Sequence, residues 1–202
     1  MQALSILLLG VGLGLRHALD ADHVVVVASL VQRELGLARA ARIAALWGLG
    51  HSAAFFVVGA AIVLGGVHVP PAFESVTEAL VAVMLIGMGA YHLASPARGG
   101  EPDTAARACS PVQPLLVGLV HGLAGSAGVA LLALSTVTSR WAAALQLVFF
   151  GLGTVLGMVL LTALLARPLA RVMRSRVRRF VTILSALASF ALGASLALSL
   201  FV

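Results

Sequence analysis

The stretch Leu7-Leu8-Leu9-Gly10-Val11-Gly12-Leu13-Gly14-Leu15-Arg16-His17-Ala18-Leu19-Asp20-Ala21-Asp22-His23-Val24-Val25-Val26-Val27 decides the fold. Apolar runs stand on both sides of five ionisable side chains, Arg16, His17, Asp20, Asp22 and His23, and the whole is as long as a helix that crosses a bilayer, which takes about 20 residues. The rest of the chain agrees with that solvent. Hydrophobic residues make up 61% and charged residues 10% of its 202 residues, with a mean hydropathy of +1.10, where a soluble domain carries about 25% charged residues. The expected fold is an all-α membrane protein.

Working outward, apolar runs against their breakers predict six transmembrane helices near 3–31, 43–66, 77–95, 114–135, 142–166 and 180–202. All 13 basic residues are Arg. A formal charge of +6 on a soluble face would suggest nucleic acid, but the arginines fall between the apolar runs, so no nucleic-acid partner is expected. Arg33, Arg39 and Arg42 lie in the first loop, Arg98 and Arg107 in the third, and Arg167, Arg171, Arg174, Arg176, Arg178 and Arg179 in the fifth, while the second and fourth share only Arg140. Cationic loops stay in the cytoplasm. The odd loops are therefore expected inside and both termini outside, with Val69-Pro70-Pro71 facing outward. The fifth-loop arginines also suit anionic lipid headgroups. One cysteine, Cys109, excludes a disulfide within the chain. The N-terminal run has no basic start and leads into the polar motif, so it is read as a retained first span and not a cleaved signal.

The halves resemble each other. Gly14-Leu15-Arg16-His17-Ala18-Leu19 aligns with Gly118-Leu119-Val120-His121-Gly122-Leu123, and Gly48-Leu49-Gly50-His51 with Gly151-Leu152-Gly153-Thr154. Three spans in each half put the two copies in opposite orientations, so a 3+3 inverted repeat within one transmembrane domain is expected. Repeat one covers about 1–95, a cytoplasmic linker 96–113 and repeat two 114–202. Chance likeness between Gly/Leu-rich helices is the alternative.

Each ionised side chain at mid-membrane costs about 2.5–3.5 kcal/mol on insertion scales. Arg16 and Asp20, four apart, can pair and remove much of that cost. On a continuous helix His17, Asp20 and His23 share a face and Asp22 points away, so either Asp22 meets another polar neighbour or the helix breaks here. A broken span frees backbone carbonyls to line a cavity. Other histidines reach the same level: His23 and His51 each lie about 12 Å from the expected cytoplasmic ends of spans one and two, and His121 sits near that depth in span four. Ser52 and Ser126 stand beside them, able to support the cluster or to bond their own backbone. His68 reads as a solvated loop residue and His92, beside Tyr91, as an interfacial one. Imidazoles with one or two carboxylates suit nickel, cobalt, zinc or iron(II), whereas magnesium and calcium prefer oxygen and copper(I) prefers sulfur.

Arg16-His17-Ala18-Leu19-Asp20-Ala21-Asp22-His23 resembles the nickel/cobalt transporter family, whose signature is His, four residues, Asp, His in a membrane helix, and Leu49-Gly50-His51-Ser52 resembles its second motif on the next span. Six spans and the Gly/Ala-rich text at His121-Gly122-Leu123-Ala124-Gly125-Ser126 are similar to a shorter branch described as urease-accessory nickel permeases. The resemblance implies a metal site at His17, Asp22 and His23, supported by Asp20 and His51, to which depth adds His121. It implies a secondary transporter importing nickel or cobalt across the cytoplasmic membrane, without cofactor and not an enzyme, with a homo-oligomer or metallochaperone as possible partner. Related proteins export these ions. No Gly-x-x-x-x-Gly-Lys motif for nucleotide is present. The competing readings are an intramembrane zinc-dependent hydrolase with histidine ligands and an aspartate base, and a non-transporting metal-sensing or assembly subunit.

Overall fold

A computed structural model of the chain describes residues 2–31, 37–94, 110–126, 128, 133, 139–172 and 175–201, and no strand occurs among them. The helices are α1 (Gln2–His17), α2 (Ala21–Val31), α3 (Leu37–Val63), α4 (Pro71–Ala94), α5 (Val112–Leu123), α6 (Arg140–Val172) and α7 (Ser175–Ser199). Their ends follow from local chemistry. Gly66, at φ +64°, closes α3: its amide bonds Ile62 O at 3.1 Å and the Val67 amide bonds Ala61 O at 3.2 Å, a left-handed cap that glycine adopts without steric cost. Pro71 opens α4, where a missing N–H costs nothing.

Four helices, α3, α4, α6 and α7, are long and apolar enough to cross a membrane, and the chain is a multi-pass membrane protein. The expected first span is not one continuous helix. It consists of α1 and α2, bent by 60° at a break between His17 and Ala21, and counted together they make a fifth span. Of the expected span at 114–135, the structure describes α5, a turn at Ala124 and Gly125, and few residues beyond. Arg33, Arg98, Arg107, Arg174 and Cys109 lie outside the described residues.

Helix pairing is dominated by α1 with α6, α3 with α5 and α6, and α4 with α7. Lipid offers no hydrophobic drive between helices, so close packing does the work, and small residues permit it. A side chain at Gly14 would fall 2.1 Å from Phe150 O and 2.7 Å from Thr154 N, and one at Gly118 would fall 2.0 Å from Trp47 O and 2.9 Å from His51 N. A Cβ at Gly50 would likewise fall on Leu115 O and one at Gly153 on Val11 O. At the third crossing Gly89 meets Ala186 O and Gly193 meets Ala82 O. Gly12 touches nothing.

These contacts are with backbone, which cannot rotate away. G14V and G118V are each expected to lose about 3 kcal/mol of stability by overpacking, read as a lower midpoint of unfolding in mixed detergent, while G12A is neutral or slightly stabilising because alanine favours helix.

Candidate metal centre

Backbone hydrogen bonds run through the bend in the first span. Ala18 N bonds Gly14 O at 3.0 Å as the last helical bond of α1; Leu19 N to Arg16 O at 2.9 Å and Asp20 N to His17 O at 3.0 Å tighten the chain into a 3₁₀-type turn. Val24 N then bonds Asp20 O at 3.0 Å and starts α2. Charges match the two helix ends: Arg16 and His17 stand in the last turn of α1 and Asp22 in the first turn of α2, each opposite in sign to the local end of the helix dipole.

The turn changes the pairing expected on a continuous helix. Asp20 accepts a hydrogen bond from His17 Nδ1 at 2.8 Å, not from Arg16, because leaving the helix at Ala18 removes the stacking of residues four apart. Asp22, which would point away on an unbroken helix, faces inward. Its Oδ1 accepts from His23 N at 3.0 Å and from His23 Nδ1 at 3.1 Å, and its Oδ2 accepts from His121 Nε2 at 2.9 Å.

These bonds fix tautomers. A carboxylate only accepts, so His17 and His23 carry their protons on Nδ1 and turn a lone pair outward at Nε2. A carboxylate behind one imidazole nitrogen with the other nitrogen free is how proteins orient histidines toward a metal. His23 Nε2 is buried and has no partner, and the same holds for His51 Nδ1 and His121 Nδ1. His17 Nε2 and His51 Nε2 stand 3.1 Å apart. A metal held at about 2.0–2.1 Å by imidazoles places neighbouring donors about 3 Å apart; an N–H···N hydrogen bond fits that spacing equally, so the orphaned nitrogens are the stronger sign of a missing ligand.

Two groups that could hold a metal ion result. Donor atoms of His17, His23 and His51 lie within 4.8 Å of one another, as do those of Asp22, His23 and His121, and His23 belongs to both. The structure thus brings together His17, Asp22, His23, His51 and His121 from α1, α2, α3 and α5, with Asp20 behind His17. His23, His51 and His121 are buried, whereas Asp22 is 37% and Asp20 54% exposed. His68 is exposed beyond α3, and His92 packs on Tyr91 at a ring distance of 5.8 Å. Ser52 bonds Gly151 O in α6, and Ser126 bonds Leu123 O at the end of α5.

Two residues of the site were not singled out from sequence. Trp47 is fully buried against His23 and His121 at 5.5 and 5.7 Å, and Phe150 lies 5.3 Å from His17. They wall the cluster off from lipid, and a lower dielectric strengthens every polar bond inside it. The available signal was spacing: Trp47 lies four residues before His51 and shares its helix face.

Calorimetric titration of nickel into the detergent-solubilised chain should place the cluster. H23A, which removes the shared imidazole, is expected to weaken binding by at least 100-fold, D22N by about tenfold as an orienting carboxylate is lost, and H68A not at all. Equal losses in H68A and H23A would refute the assignment.

No protein-family profile matches the chain, and no solved structure matches it. Among curated proteins it is similar to the urease accessory protein UreH of Bacillus sp. (strain TB-90), with 34% identity over 180 residues, covering 83% of this chain and 79% of the relative. With identity at that level along most of both chains, the chain belongs to the family of the urease accessory protein UreH.

Proposed function

We propose that the chain is a permease that moves a divalent transition-metal ion, nickel or cobalt, across the cytoplasmic membrane by secondary transport, in the direction of import. One observation carries this reading: at a break in a membrane span, two carboxylate-backed histidines turn their far nitrogens toward further buried imidazoles, among which three buried nitrogens have no partner. A site of this kind, formed by a discontinuous helix among packed spans, is how secondary transporters hold an ion at mid-membrane. Histidine with carboxylate suits nickel and cobalt, and the accessory role named for the relative fits metal supply better than hydrolysis. The site residues are His17, Asp22, His23, His51 and His121, with Asp20 orienting His17.

The chain forms one domain of six spans in a 3+3 inverted repeat, with α5 and the residues after it as the fourth. The helix crossings support this. Shifting α1 by 104 positions and α3 by 103 turns the contact of Gly14 with Phe150 O and Thr154 N into that of Gly118 with Trp47 O and His51 N. The same shift turns Gly50 on Leu115 into Gly153 on Val11, and a shift of 104 exchanges Gly89 on Ala186 with Gly193 on Ala82. His17 on Phe150 likewise exchanges with His121 on Trp47. The arginine distribution puts both termini outside. Membrane potential favours entry of a divalent ion by about 4.6 kcal/mol per 100 mV, and a metallochaperone is the expected recipient.

Uptake of nickel and cobalt into proteoliposomes containing this chain alone should be saturable, and H17A and H23A should each lower it at least tenfold. Undiminished uptake in both variants would remove the site from the mechanism, and absence of uptake in the parent would favour an assembly subunit.

A further inference from the structure

A cavity of about 330 Å³ lies between α2, α4 and α7, lined by Asp22, Val81, Leu85, Leu192, Ser195 and Ser199 among others. At about 30 Å³ per molecule it has room for about ten waters, enough for a hydrated divalent cation. It follows α7 from Leu192 to Ser199, the last residue of that helix, over about 10 Å. Asp22, the one member of the second group that is not buried, is part of its lining, and Ser195 and Ser199 on its wall are exposed. By the arginine rule the end of α7 is the outer one.

The repeat relation assigns each wall residue a counterpart. The shift of 104 positions carries Asp22 to Ser126, Val81 to Ser185 and Leu85 to Ser189, and in return carries Leu192, Ser195 and Leu196 to Met88, Tyr91 and His92. Apart from Ser126, which follows α5, these counterparts lie on α7 and α4, those on α4 running toward Ala94, the described end of that helix on the arginine-rich side. Their inner members are shut: Ser126 is 1%, Ser185 8% and Ser189 0% exposed, and Ser189 Oγ bonds Leu85 O at 2.8 Å across the α4–α7 crossing. The polar character is the informative part. Each hydroxyl is held on a backbone carbonyl, Ser189 on Leu85 O across the α4–α7 crossing, Ser185 on Thr182 O at 3.1 Å and Ser126 on Leu123 O at 2.8 Å, and an ion shedding or regaining water needs oxygens along its way.

Resting on the transport reading and its inverted repeat, we propose that the ion passes through two vestibules that open in turn. The outer one is the cavity at Asp22, Ser195 and Ser199; the inner one, closed in this structure, is lined by Ser126, Ser185, Ser189, Met88, Tyr91 and His92. The inner route ends at the imidazole of His92 beside Tyr91, a waypoint for a cation leaving the buried histidines.

The test uses a full-length C109S background in membrane vesicles of both orientations and a membrane-impermeant cationic thiol reagent. S195C is expected to react at least tenfold faster from outside than from inside, and S185C, with S126C as a second reporter, at least tenfold faster from inside. In the S195C/S185C double variant, prior attachment of a bulky reagent from outside should hold the outer vestibule open and slow inner labelling several-fold. An unreactive S195C would overturn the outer route. Inner positions that never react, or that react independently of the outer label, would overturn the alternating pair. Nickel flux through the C109S parent in the same vesicles is read separately, so a parent without flux counts against transport and not against the two routes.

Discussion

Inside hydrocarbon no water satisfies a backbone amide or a charged side chain, and a helix that stops at mid-membrane must find partners for both. At His17–Ala21 the backbone is held by a tight turn whose bonds run from Gly14 O to Val24 N. The side chains are held by pairing each aspartate with the histidine nearest to it in the turn, Asp20 with His17 and Asp22 with His23. Everything else in the site depends on this solution. Once both carboxylates are engaged from behind, the imidazoles have only their far nitrogens to offer, and they offer them to the space shared with His51 and His121.

That space exists because α3 and α5 approach closely enough for a glycine of one to touch the backbone of the other. Gly122 lies against His51 O and Gly118 against His51 N, so the helix that carries His121 is registered against the helix that carries His51 at the histidines themselves. Packing and site are therefore one constraint. A bulkier residue at these glycines would separate the imidazoles before it altered any ligand.

Much of this was legible in the residues. Apolar run length identified lipid as the solvent, and the depth of His23, His51 and His121, counted along separate helices, anticipated their meeting. The pairing of Arg16 with Asp20 was a wrong expectation, because periodicity arguments assume the helix continues, and a bend of 60° cancels the assumption where the polar residues lie. Asp22 shows the same limit from the other side: no helical wheel places it beside His121, yet the turn does. Trp47 and Phe150 escaped notice because an aromatic residue in an apolar helix carries no mark of what it walls off.

His23 belongs to both groups of possible metal ligands, and under the proposed function this sets a stoichiometry. A neutral imidazole has one lone pair, and His23 Nδ1 is already engaged by Asp22, so only Nε2 can bind. On the transport reading proposed above, the cluster counts ions singly: the first group has to surrender its ion before the second can hold one, and crowding the membrane with metal cannot push two through together.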